Sequence, residues 1–409
     1  MSDDAAPLLR PVATRLVRPE WATRVVSPAY DAVRPERRRE LMDSDPYVFL
    51  HVTRSPGDSV DPDTGRPIET HDEVTEANAA ALDRLLAADV FTDVAPPGLY
   101  LYRLTKDDHI QTAIVGDIDL RGLDDGRIGP HERIRPQRAT LLADHIERVG
   151  VHSSPVAFAY PDDPAVRSIV ERASAGPPLL DFRRDDGLGQ TIWRIPDTDV
   201  DALLAHFADR RLYIVDGHHR VAAGVEHRRR SGGNDDDGAV VLGALFPAGE
   251  LRVRPFHRRV VDTAGMDAGD LAVAVTAADF GVRPLATDED PEPPHAGTFG
   301  MYVEGAWYEI TPFHRHPAEF DATLLQERIL GPVLGVDEAG GSGRLEYLPG
   351  DSGLAQLVEL VDAHGGVGFA LYPVSLGQLM AVVDRGQTLP PKSTYFEPKV
   401  RSGVFVVPR

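Results

Sequence analysis

Cysteine is absent from all 409 residues. That excludes disulfide scaffolds, thiolate zinc centres and cysteine nucleophiles, and it fits a reducing compartment. Cations are short against anions: 43 Lys and Arg stand beside 64 Asp and Glu, a net charge of −21. Such a chain lacks the cationic face that nucleic-acid phosphates or an anionic membrane surface require, although a local basic patch stays compatible with it. No run of about 18 apolar residues exists to cross a bilayer. The opening MSDDAAPLLRPVATRLVRPEW has no basic stretch followed by an apolar one, so no secretory signal is expected, and a cytoplasmic location is. A G-x-x-x-x-G-K-[ST] phosphate loop and a G-x-S-x-G elbow are also missing, which excludes a P-loop enzyme and argues against an α/β-hydrolase.

What is present reads as a soluble globular protein: 42% hydrophobic and 26% charged residues. At about 100–200 residues per domain the length suits two to three domains, with core enough to need no staple. We read three parts, 1–118, 119–235 and 236–409, with no internal repeat. In the first, Trp21 to Val33 reads as a short strand and turn, and Pro35 to Tyr47 as a helix stopped before Pro46. Val48 to Arg54 reads as a strand and Ser55 to Pro67 as a polar loop. A helix follows, with Thr70 and Glu73 as its capping box. GLYLYRLTKDD and HIQTAIVGDIDL form a hairpin with an Asp-Asp turn.

In the second part a helix runs from about Pro136 to Arg148, with Gly150 placed to end it. The strand SPVAFAY, a helix near Pro164 to Ala175, the strand QTIWRIP and a helix near Val200 to Ala208 follow. RLYIVDG is a strand that runs straight into the helix HHRVAAGVEHRRR, and Ser231 to Gly238 is a flexible acidic boundary. The third part opens on the strands VVLGALFP and LRVRPFHRRVV and the helix LAVAVTAADFGV. TFGMYVEGAWYEIT is a hairpin turned at Glu304-Gly305.

Two segments carry candidate chemistry. In Ile214 to Arg220 an apolar strand ends at Asp216 and a helix starts at once. Gly217 permits a tight turn and close ligand approach, and the helix N-terminus offers N–H donors to an anion. His218, His219 and Arg220 add side-chain donors in the same place, and Asp216 suits a hydroxyl or a metal. An N-cap Asp with two surface histidines fits the same spacing. The other segment is Gly129-Pro130-His131-Glu132, followed by Arg133 and Arg138. Its carboxylate just ahead of a helix is either a general base or a helix-capping acid.

The order of these elements, H-E-x-x-x-P-x-R, a helix, G-V-x-x-x-P-V and then D-G-H-H-R-V-A-A, resembles the ParB/sulfiredoxin-like fold. Gly150, Val151, Pro155, Gly217 and Arg220 stand at its motif positions. The D-G-H-H-R form with an upstream H-E is similar to the free-serine kinase branch of that superfamily. SPAYDAV, DPYVFLHV, LYLYR, PFHRRV, ALYPVSLGQL and LPPKSTYFEPKVRSGVF are similar, in order, to a large microbial family labelled a domain of unknown function that carries the same element. Leu389 departs from the methionine of that family's tail, and the spacer between Tyr160 and Leu212 is longer than in ParB.

The resemblance implies an α/β (α+β) protein with a ParB/sulfiredoxin-like nucleotide-binding core at 119–235 between family-specific α/β parts. It implies an enzyme that phosphorylates the hydroxyl of free L-serine to O-phosphoserine with ATP or ADP and Mg²⁺. Glu132 would be the base with His131 beside it. Gly217, His218, His219, Arg220 and Arg138 would hold phosphates, and Asp216 would bind Mg²⁺ directly or through water. The tail adds Lys392, Ser393, Thr394 and Lys399, which either fold over the nucleotide or close a sheet with exposed lysines. Tyr30 and Asp31, on a rigid turn after Pro28, are candidate substrate contacts. The expected partner is a small hydroxy amino acid, with neither nucleic acid nor membrane; the oligomeric state stays open. A non-catalytic nucleotide-binding switch and a kinase of another hydroxylated metabolite are the alternatives.

Overall fold

The apolar runs in Tyr100–Lys106 and His109–Asp119 pair residue for residue, Lys106 opposite His109. The Asp107-Asp108 turn between them has Asp107 at φ +53°. In this computed structural model the hairpin is the centre of a nine-stranded mixed sheet. The order is Ile128–Gly129, Leu212–Asp216, Val156–Tyr160, Val240–Pro247, His109–Asp119, Tyr100–Lys106, Gly189–Arg194, Leu180–Arg183. Leu9–Arg10 also pairs with His109–Asp119. The structure describes residues 7–30, 33–58, 67, 69–132, 134–231, 239–316, 319–336, 343–350 and 353–409.

The chain divides into two units, Met1–Leu251 with Pro398–Arg409, and Arg252–Glu397. The expected boundaries at 118 and 235 do not separate them. Strands from 100–119, 156–160, 189–194, 212–216 and 240–247 share one sheet, and a sheet cannot be cut without breaking its ladder. The last strand, Phe405–Pro408, belongs to the first unit, paired with Arg15–Leu16 and Val151–His152. Leu101, Ile114, Phe158, Phe207, Ile214 and Val221 lie in its core. Helices Pro136–Val149 and His218–Arg230 pack on each other.

The second unit is built on a six-stranded antiparallel sheet with Phe256–Val260, Phe299–Val303 and Val367–Ala370 in its interior. Val260, Phe280, Phe299, Met301 and Phe369 are in its core. Glu304 and Gly305 turn the expected hairpin at φ +48° and +79°. The architecture is mixed α/β, as expected. Among the described residues no helix is long and apolar enough to cross a membrane.

Four local expectations change. Trp21–Val25 is helical, not extended: the helix is Pro19–Val25, with Pro19 in its first turn and Glu20 beside it, both favoured there. The apolar run after Val48 is one helical turn, Leu50–Thr53, rather than a strand. A short apolar run has no period that separates the two; here it packs on helix His71–Ala87. The segment read as one strand from Leu251 splits into Arg252–Arg254 and Phe256–Val260. Pro255, with no N–H for a ladder, stands between. The helix read through Val282 ends at Ala277, and Phe280–Pro284 is a strand. Asp279 turns the chain at φ +73°. Residues 232–238 of the acidic loop and most of the loop after Ser55 lie outside the described residues.

Candidate functional site

Leu212–Val215 are buried, and they anchor the strand that ends at Asp216. Opposite Val156–Tyr160 its register shifts between Ile214 and Asp216, an irregularity of the kind that re-aims a side chain at a strand end. Gly217 follows at φ +102° and ψ +27°, and helix His218–Arg230 starts without a side-chain cap. That φ is costly for any residue with a Cβ. A Cβ there would also lie 2.9 Å from the Arg220 guanidinium. The first N–H groups of a helix have no partner within it, and such groups are donors that an anion can use.

Asp216 is gripped from both sides. One carboxylate oxygen accepts from Lys399 Nζ at 2.6 Å, the other from Arg220 at 2.6 Å. Arg220 spends its other terminal nitrogen on the carbonyls of Ser154 at 3.0 Å and Pro155 at 2.5 Å. It thus brackets the strand-to-helix turn against the loop after Val151–His152. Lys399 reaches Asp216 because the C-terminal residues of the first unit pair beside that loop, where Ser402 Oγ meets Ser154 Oγ at 2.5 Å. The expected Mg²⁺ contact at Asp216 does not fit this arrangement. Two cations already neutralise the carboxylate, and a divalent cation would have to approach against them.

The His131-Glu132 segment meets the same turn. The Nδ1–H of His131 donates to the Ile214 carbonyl at 2.7 Å, and the His131 backbone N–H donates to Nε2 of His218 at 3.3 Å. The two rings stand edge to face, centroids 4.4 Å apart. Burial pushes His131 down to about 4. His218 falls well below the ordinary histidine value, through burial first and then the charges of His131, His219 and Arg220. Both are therefore neutral near pH 7. His218 Nδ1 lies 3.9 Å from Glu132 Oε2. The backbone N–H of Arg135 donates to His219 Nε2 at 3.1 Å, which ties the approach to helix Pro136–Val149 onto the same turn.

His131, Glu132 and His218 offer ligand atoms all within 4.8 Å of one another, a set that on composition suits a transition metal. Their hydrogen bonds count against it. A backbone N–H can only donate, so His218 Nε2 carries the lone pair and Nδ1 the proton. The nitrogen turned to Glu132 is then a donor, not a ligand.

Arg138 is exposed in the first turn of helix Pro136–Val149. Tyr30 belongs to a separate network in the first unit: its hydroxyl meets Ser55, and the Arg38 guanidinium lies 4.1 Å over its ring. Arg38 is in turn paired with buried Asp58 at 2.5 Å. Asp31 and Arg133 lie outside the described residues. Lys392, Ser393 and Thr394 belong to the second unit. Lys392, at φ +57°, lies 5.1 Å over the Phe256 ring. Its carbonyl accepts from Arg258 at 3.0 Å, and Ser393 Oγ donates to the Pro390 carbonyl at 2.7 Å.

The model of the family described as "Protein of unknown function (DUF1015)" matches residues 9–331. The chain belongs to this family. The Lys392 to Lys399 tail lies beyond the matched residues. No curated protein matches. Solved structures similar to this chain include a mutant free serine kinase in complex with AMP, at 14% identity and TM-score 0.37, over 69% of this chain and 87% of that one. Another mutant of free serine kinase, in complex with ADP, is 15% identical with TM-score 0.37, over 71% and 88%. SbnI with a C-terminal truncation, from Staphylococcus aureus, is 13% identical with TM-score 0.39, over 72% and 87%.

Sequence reasoning missed the Ser154 and Pro155 carbonyls that seat Arg220, and it missed the pairing of His131 with His218. Backbone carbonyls leave no compositional signal. The two histidines are 87 residues apart, and only the sheet, which sets Ile128–Gly129 beside Leu212–Asp216, brings them together.

Proposed function

We propose that this protein is a nucleotide-dependent kinase that transfers a phosphoryl group from ATP or ADP to the hydroxyl of free L-serine. What carries the reading is the meeting of Glu132 with the uncapped turn at Gly217: His218 in that turn's first helical position stands 3.9 Å from the carboxylate. A phosphate held at the helix N-terminus would sit beside a carboxylate able to take a proton. The likeness of the H-E and D-G-H-H-R motifs to the free-serine kinase branch points the same way.

In this reading Glu132 accepts the serine hydroxyl proton as its oxygen forms the new O–P bond. The bond from phosphorus to the bridging oxygen breaks, and ADP or AMP leaves with that electron pair. The Gly217 turn gathers the phosphates. Arg220 and Lys399, linked through Asp216, hold positive charge next to it. Magnesium enters as the nucleotide's counter-ion, held by phosphates and water.

The test is direct. The protein is incubated with Mg²⁺, ATP or ADP and each hydroxyl amino acid in turn, and the products are weighed by mass spectrometry. O-phosphoserine is expected; a product from another acceptor alone would remove serine from the reading. Glu132→Gln should keep nucleotide affinity and lower kcat by about 10²–10⁴-fold. A Gln variant that turns over like the parent would remove Glu132 as the base.

A further inference from the structure

We infer that His218 is a positioning residue: its Nδ1–H aims the Glu132 carboxylate, and the His131 backbone fixes which nitrogen holds that proton. The inference rests on the reading of Glu132 as base.

The Ile214 carbonyl can only accept, so the ring nitrogen of His131 at 2.7 Å, Nδ1, bears a proton. The His131 backbone N–H can only donate, so Nε2 of His218 at 3.3 Å is bare. His218 is 5% exposed, and burial holds it neutral. A neutral imidazole has one ring proton, and in His218 it must lie on Nδ1. That atom is the one 3.9 Å from Glu132 Oε2.

The chain Ile214 carbonyl, His131, His218, Glu132 thus runs from the core strand to the carboxylate, with the first two links directed by backbone groups and the third by the one proton of the neutral His218 ring. A separation of 3.9 Å is longer than a direct hydrogen bond. Contacts of this kind tighten when substrate arrives or are bridged by one water.

Neutrality has a chemical consequence. A cation beside a carboxylate favours the ionised form and weakens it as a base, often by one to three pKa units. A neutral N–H donor orients the carboxylate while costing it less basicity. The cations nearby, Arg220 and Lys399, are instead committed to Asp216. The fold separates a charge-bearing acid from a base aimed by a neutral ring.

Two substitutions distinguish this role from a purely structural one. In His218→Asn the amide nitrogen can stand where Nδ1 stood, which keeps a donor toward Glu132 and loses the acceptor for the His131 N–H. In His218→Gln the amide reaches the Nε2 position, which keeps that acceptor and loses the donor. The expected order of kcat is parent, then Asn, then Gln, with about tenfold or more between Asn and Gln and KM for the nucleotide altered far less. The reverse order, Gln above Asn, overturns the inference, because it would mean that His218 serves only to hold His131.

A readout that needs neither turnover nor a folded variant is the ring tautomer of His218 in the parent, from long-range ¹⁵N–¹H correlations. A proton on Nδ1 supports the inference, and one on Nε2 overturns it. Failure of the kinase reading looks different. A parent that phosphorylates no hydroxyl acceptor would remove that reading, while the Glu132 carboxyl titration still reports on the contact. It should move up in the Gln variant and less in the Asn variant, and equal values in both would overturn the inference.

Discussion

Acid should unfold this protein partly through His131, and the size of the effect follows from its burial. The ring is 3% exposed, and burial lowers its pKa from 6.5 to about 4. Between those two values the unfolded chain binds a proton that the folded chain refuses. Stability from this group is therefore complete above pH 6.5 and is lost as pH falls toward 4. For a single site the loss is about 2 kcal/mol at pH 5 and about 3 kcal/mol at pH 4. His131→Asn isolates it, since the amide can keep an N–H toward the Ile214 carbonyl and does not titrate. Urea unfolding of parent and variant would be followed at pH 7 and pH 5. The parent should lose about 2 kcal/mol more than the variant between the two. His145, also pushed down to about 4 by burial, contributes equally to both and cancels. Equal losses in parent and variant would refute the argument, as would an NMR titration of His131 centred near its ordinary value.

Arg220→Ala frees one oxygen of Asp216 and the Ser154 and Pro155 carbonyls together, so calorimetry should show ATP or ADP binding weakened about tenfold or more, with a lower Tm; unchanged affinity in a folded variant would put the phosphates elsewhere. Lys399→Met removes one of the two cations on Asp216 and should weaken nucleotide binding while Tm moves little, since one partner of the carboxylate remains. A fall in Tm with intact affinity would make Lys399 a strut alone. Thr70→Ala removes the hydroxyl that accepts from the Glu73 N–H at 3.3 Å and donates to the Glu73 carboxylate at 2.8 Å; thermal or urea unfolding should show a loss of about 1 kcal/mol, and nucleotide affinity should not change.

Where the chain's structure is decided within a few residues, the sequence by itself determined it. Thr70 and Glu73 cap their helix as read. Gly150 ends the next at φ +72°, because a helix C-terminus needs a left-handed residue and glycine has no Cβ to clash. The Asp107-Asp108 and Glu304-Gly305 turns close hairpins. At the candidate site, Gly217 after an apolar strand was legible for the same reason: its backbone angle is local, and so is the helix that starts beyond it.

What was not legible depends on partners far along the chain. The short apolar run at 50–53 is helical because of the helix it packs on, and its own periodicity cannot say so. The sequence names His131, Glu132, Asp216, Arg220 and Lys399 as separate candidates. Only the tertiary structure pairs Asp216 with a lysine 183 positions away, seats Arg220 on carbonyls 65 and 66 positions back, and gives each buried histidine its tautomer. A tautomer follows from which backbone group, donor or acceptor, lies against the ring. That is a property of strand register and burial, and no residue carries it alone.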